Sequence, residues 1–225
     1  MREPTVREIF KQELEQVGDG LREMSTLVVD AIESASTALR TADLQLAERV
    51  IEADEAIDEI ERRLDEQCVS LLARQQPVAT DLRVVVTALR LSATLERMGD
   101  LARHIAYVAR GRYPELAPSV PMRDIFDQMG VAAVKVARQV TELLESRDLA
   151  QAAGVERDDD TLDDLHRETF RIMLDADVEM TKQELIDGVL LGRYFERFGD
   201  HGVSVARRIS FLVTGDLSNS VAFDA

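Results

Sequence analysis

Eight carboxylates are the residues of this chain best placed to do chemistry. They form four pairs spaced i, i+4: Asp54/Asp58, Glu96/Asp100, Asp159/Asp163 and Glu196/Asp200. On a helix that spacing puts both members of a pair on one face. Asp54 and Asp58 extend the apolar line Leu44, Ala47, Ile51, and Glu96 and Asp100 extend the line Leu82, Val86, Leu89, Ala93. Carboxylates on such seams meet one another wherever the two helices pack. Two like charges about 4 Å apart repel by about 4 kcal/mol at an effective dielectric of 20. A cation, a bound proton or arginines must offset that. The all-oxygen donor set points to a metal such as Mg, Mn, Ca or Fe rather than Cu(I). The plain alternative is ion pairing, since Arg97, Arg103, Arg197 and Arg207 lie close along the same stretches.

Other chemistries find little support. The three histidines, His104, His166 and His201, have no counterpart in the other half of the chain. Asp163 and His166 are spaced i, i+3 like the Glu-x-x-His of di-iron bundles, but the second copy such a site needs is missing. Asp158-Asp159-Asp160 lacks the glycine and the terminal glutamate of a calcium loop. The sequence contains no glycine-rich phosphate loop, cysteine–histidine zinc pattern or nucleophile elbow. The single cysteine, Cys68, sits in an apolar stretch and reads as a small core residue.

The elements that must position these groups are helices. Apolar residues recur at steps of three and four through six stretches: about 6–40, 43–74, 80–110, 122–146, 148–176 and 181–213. Asp43 is a candidate N-cap, and Thr181 with Glu184 forms a capping-box pattern. Gly111 to Pro121 holds three prolines and marks the boundary between halves. Stretches of this length span about 40–50 Å as helices. The fold class is therefore all-α: two tandem three-helix bundles, residues 1–111 and 122–214, with a tail at 215–225, or one elongated six-helix body.

The halves repeat one another. Met24, Asp43, Ala47, Val50, Asp54 and Asp58 recur 105 residues later as Met129, Asp148, Ala152, Val155, Asp159 and Asp163. Leu95-Glu96-Arg97-Met98-Gly99-Asp100 recurs 100 residues later as Phe195-Glu196-Arg197-Phe198-Gly199-Asp200. The five-residue difference falls between the second and third helices of each half, where a loop absorbs it. Gly99 and Gly199 lie inside strong helices at a cost of about 1 kcal/mol each against alanine. Their recurrence points to close approach by a neighbouring helix or ligand.

Acidic residues number 43 against 27 basic, for a net charge of −16. Such a surface repels phosphate backbones, so nucleic acid and anionic membranes are not expected partners. It also disfavours tight binding of free phosphate without a cation or an arginine cluster. The N-terminus has no signal-peptide pattern, and the most apolar segment, Leu82 to Leu95, is cut by Arg83 and Arg90. Neither membrane insertion nor export is expected, and the expected location is the cytoplasm.

Over about residues 5–214 the sequence resembles the PhoU family. The resemblance rests on the duplicated Glu-Arg-x-Gly-Asp motif, the run Arg74-Gln75-Gln76-Pro77-Val78-Ala79-Thr80-Asp81-Leu82-Arg83, and the acidic runs Glu52 to Asp58 and Asp158 to Asp163. It implies two three-helix bundles, each with a Glu/Asp-x-x-x-Asp motif pair that binds iron, zinc or other metal clusters in some members. Carried over, those ligands are Asp54, Asp58, Glu96 and Asp100, then Asp159, Asp163, Glu196 and Asp200. Iron or zinc is favoured over Mg or Mn. The resemblance also implies a cytoplasmic, often homodimeric negative regulator of phosphate homeostasis. Its partners would be the ATPase subunit of the phosphate ABC transporter and a sensor histidine kinase controlling phosphate-starvation genes.

Two other readings stand beside this non-enzymatic one. A metal-dependent phosphohydrolase would use the paired carboxylates to activate water, though no second catalytic group stands beside either site. A purely structural helical module would keep them only as ion pairs.

Overall fold

The periodic stretches fold as helices with capped ends. In the computed structural model, residues 6–216 are described. Among them are α1 (Val6–Thr41), α2 (Leu44–Gln75), α3 (Ala79–Arg112), a 3-10 turn (Val120–Met122), α4 (Arg123–Ser146), α5 (Leu149–Met173) and α6 (Lys182–Thr214). Asp43 and Asp148 cap α2 and α5 by accepting from the amides of Leu46 and Ala150. Thr181 and Glu184 form the full capping box of α6. The fifth helix stops at Met173, three residues short of the Ala176 read from the sequence. Residues 217–225, most of the expected tail, lie outside the described residues.

Two three-helix bundles result. Helices α1, α2 and α3 pack on one another, as do α4, α5 and α6. The bundles join through matching helices, α1 on α4 and α3 on α6. Both junctions run antiparallel. At one end of the second junction Arg112 binds Asp187, and farther along the ring of His104 lies 5.2 Å from that of Tyr194. At the first junction Arg138 donates to Glu33 across 2.9 Å. These two are the same position in the two repeats, 105 residues apart. The arrangement has the form of an internal two-fold in which each inner helix meets its own copy.

The core runs through both bundles and is nearly all aliphatic, with Met24, Ile32, Leu64, Leu95, Met98, Phe195 and Phe198 among its fully buried members. Each contributes roughly 1.5–3 kcal/mol by leaving water. Cys68 is part of it, and burial pushes its thiol up to about 11. No helix among the described residues is long and apolar enough to cross a membrane. Helices α2 and α5 lie outermost, so the acidic pairs they share with α3 and α6 sit on the flanks.

Candidate functional site

Each flank carries one acidic cluster. In the first repeat Asp54 extends the buried stripe Ala47, Val50, Ile57 of α2 and is itself only 3% exposed, while Asp58, a turn later, faces solvent. Glu96 and Asp100 come from α3 and are partly buried. The line read for them from the sequence needs correction: Leu82 and Ala93 are exposed, and Val86 and Leu89 only half-buried. The stripe that is buried runs instead through Val85, Ala88, Leu91, Leu95 and Met98. Glu96 and Asp100 therefore sit at the rim of the core.

Gly99 brings the two helices together. A Cβ there would stand 2.8 Å from Ile57 Cδ1 and 3.3 Å from Asp54 Oδ1. The second repeat is tighter: a Cβ on Gly199 would collide with Asp159 Oδ1 and stand 2.7 Å from Leu162 Cδ1. In both repeats the glycine of Glu-Arg-x-Gly-Asp lets a carboxylate of the neighbouring helix lie against the helix backbone.

The clusters differ in how they neutralise charge. In the first, Arg103 reaches back across the helix gap and donates to both Asp54 and Asp100. Burial alone pushes Asp54 up; Arg103 pulls it down, and Asp58 and Asp100 push it up again, leaving it at about 6. Glu96 is raised to about 7 by burial and then by Asp100, with which it shares a hydrogen bond. His104 Nδ1 lies 2.7 Å from the carbonyl oxygen of Asp100 and fastens the same turn.

In the second repeat the residue 100 positions after Arg103 is Val203. Asp159 Oδ1 is buried and has no hydrogen-bond partner among the described residues. Burial, then Asp163, Asp200, Asp160 and Glu196, raise Asp159 to about 7. Asp200 and Glu196 are also raised, burial being the largest cause in each. Arg193 holds Glu196 from the solvent side, 2.7 and 2.6 Å from its two oxygens. A cleft of about 760 Å³ opens over this cluster, lined by Asp159, Asp163 and Asp200 together with His201, Arg157, Arg197 and Arg207. Arg207 is engaged with Glu156 at 3.2 Å.

The structure thus draws the eight expected carboxylates into two groups of four, each within one electrostatic field. Among the described residues, no three His, Cys, Asp or Glu side chains already converge on a point where a metal ion would be held. Arg193 adds to the cluster a residue that the acidic motifs do not include, although its i, i+3 spacing to Glu196 is the signal that finds it.

The PhoU domain model matches residues 21–109 and 126–209, one copy per bundle. The phosphate-specific transport system accessory protein PhoU homolog 2 of Mycobacterium tuberculosis is 40% identical over 93% of this chain and 99% of its own length. The corresponding homolog 1 of Mycobacterium leprae is 40% identical over 93% of this chain and 95% of its own. The crystal structure of PhoU from Pseudomonas aeruginosa superposes with a TM-score of 0.81 at 30% identity, covering 92% of this chain and all of that one. The same fold, at 24% identity and a TM-score of 0.82, is seen in the PhoU structure from Streptococcus pneumoniae.

Proposed function

The chain belongs to the PhoU family, and we propose that it is a regulatory accessory of phosphate transport that catalyses no reaction itself. In this reading it acts in the cytoplasm as a homodimer. It restrains phosphate uptake and phosphate-starvation signalling through the ATPase subunit of a phosphate ABC transporter and a sensor histidine kinase. The observation that carries the reading is the whole-chain match to accessory proteins of phosphate-specific transport, in both repeats and in register. The strongly acidic surface supports it, since it favours basic protein partners over nucleic acid.

Deleting the gene tests this. Phosphate-starvation genes should then stay on in phosphate-rich medium and fall again when the wild-type gene is restored. Tagged protein should recover the transporter ATPase or the kinase from the same cells. Unchanged starvation-gene expression in the deletion strain would overturn the proposal.

Metal binding belongs to the same reading, and the second cluster has the donor chemistry for it. Asp159, Asp163, Glu196 and Asp200 supply oxygen only, Val203 puts no cation where Arg103 stands in the first cluster, and a buried oxygen of Asp159 has no hydrogen-bond partner among the described residues. These four would hold an iron or zinc ion, which would supply the missing positive charge and tie α5 to α6. The first cluster fits a metal poorly, because Arg103 already engages Asp54 and Asp100.

A further inference from the structure

We propose that Arg103 takes the place of a metal ion in the first repeat, so that this chain binds metal through its second repeat alone. The inference rests on the reading above that the carboxylates of this fold take metal.

The two repeats place the same four carboxylates on the same two helices, and both use glycine to bring those helices together. What differs is the cation. Arg103 lies between the two helices and donates through two of its nitrogens, one to Asp54 on α2 and one to Asp100 on α3. A metal ion would have to bridge the same helices through the same oxygens. An ion entering there must displace a guanidinium that is only about a quarter exposed and whose partner Asp54 is 3% exposed. The displaced guanidinium would give up both of its carboxylate partners.

The second repeat puts Val203 at that position, and valine has neither the reach nor the charge to do the same. Its arginines stand elsewhere: Arg193 clamps Glu196 from outside, Arg207 is held by Glu156, and Arg157 and Arg197 line the cleft. None of them supplies a hydrogen bond to Asp159 Oδ1. The duplication has thus produced one cluster closed by a built-in cation and one left to an exchangeable cation. Arg103 would bridge α2 and α3 at the cluster whatever the metal supply, while the matching place between α5 and α6 would gain its bridge only when metal is bound.

Elemental analysis of the full-length protein after loading with zinc, and separately with iron(II) under anaerobic conditions, tests this. Two double variants spare the partners of Arg103: D58N with E96Q in the first cluster, and D163N with E196Q in the second. The D163N/E196Q protein should lose its bound metal and the D58N/E96Q protein should keep it. R103M, which retains an aliphatic stem without the charge, should gain metal relative to wild type. Its thermal midpoint should then rise on metal addition more than that of the parent, and helical circular dichroism establishes that it is folded. Equal loss of metal in both double variants would overturn the asymmetry while leaving metal binding intact. No gain in folded R103M would overturn the role given to Arg103. A wild-type protein that takes up neither metal would overturn the metal reading itself, and this inference with it.

Discussion

Asp54 and Asp159 hold the same position in the two repeats, yet Asp54 is met by Arg103 and Asp159 Oδ1 lies over Gly199 without a hydrogen-bond partner. Two bundles that match in helix order, capping and glycine placement therefore differ in the one group that decides how buried negative charge is held. A carboxylate buried without a full set of partners is costly, and it responds by holding its proton.

That response has a measurable pH dependence. Asp159 is raised to about 7 and Asp54 to about 6, both from 3.8. Each binds its proton more tightly folded than unfolded. The folded state therefore gains stability as these groups are protonated and loses it as pH climbs from about 4 through 7. D159N removes the larger shift. It should stabilise the protein near pH 8 by about 1–2 kcal/mol, the raw shift being discounted for solvent screening. It should also flatten the pH dependence of the urea midpoint between 5 and 8. A wild-type midpoint that rises with pH across that range would show the opposite sign.

The motif glycines should be intolerant of a single methyl group. At Gly199 the added carbon would strike Asp159 and Leu162, and at Gly99 it would strike Ile57. G199A and G99A should each cost about 1–3 kcal/mol through overpacking, the former more. Gly111, in the last turn of α3, has nothing within 4 Å of such a carbon. G111A should be neutral or gain up to about 1 kcal/mol from helix propensity. Chemical denaturation of the three proteins checks the order.

Arg112 and Asp187 lock the end of α3 to the start of α6. Arg112 binds both oxygens of Asp187, which is 3% exposed and also accepts from Gln183 at 3.1 Å. R112A leaves that carboxylate buried with an uncharged partner only, and should cost about 3 kcal/mol or more. D187N in the R112A background should recover part of the loss, which a double-mutant cycle reads directly.

Glu33 and Arg138 form the contrasting case. They are repeat mates that face each other across the internal two-fold, but both are more than half exposed. E33A and R138A should each shift stability by less than about 1 kcal/mol, and the effect should vanish in high salt. A salt-insensitive loss would show that the contact is more deeply screened from water than its exposure implies.

The helices, their caps and the duplication could be read from the sequence because each leaves a local mark: three-four spacing, Asp43 and Thr181 before apolar runs, and motifs recurring at fixed offsets. The grouping of the eight carboxylates followed from the same marks. What could not be read was which face of α3 is core. That helix touches α1, α2 and α6 at once, so its apolar residues go round most of its circumference and no single line identifies the seam. For that reason the spacing places Leu82 and Ala93 on a seam, although both are exposed. Nor could spacing tell which of several arginines crosses to another helix. Arg97 stays beside Glu96 at 3.6 Å, whereas Arg103 reaches Asp54, 49 residues away. That choice depends on the side-chain path across the packed helices.

The unequal chemistry of the two clusters is measured most directly by anomalous diffraction from crystals of the full-length protein grown with zinc. A peak should appear among Asp159, Asp163, Glu196 and Asp200, with Arg103 still joining Asp54 to Asp100 and no peak beside it. Peaks of equal strength in both repeats, with Arg103 swung away from Asp54, would contradict it.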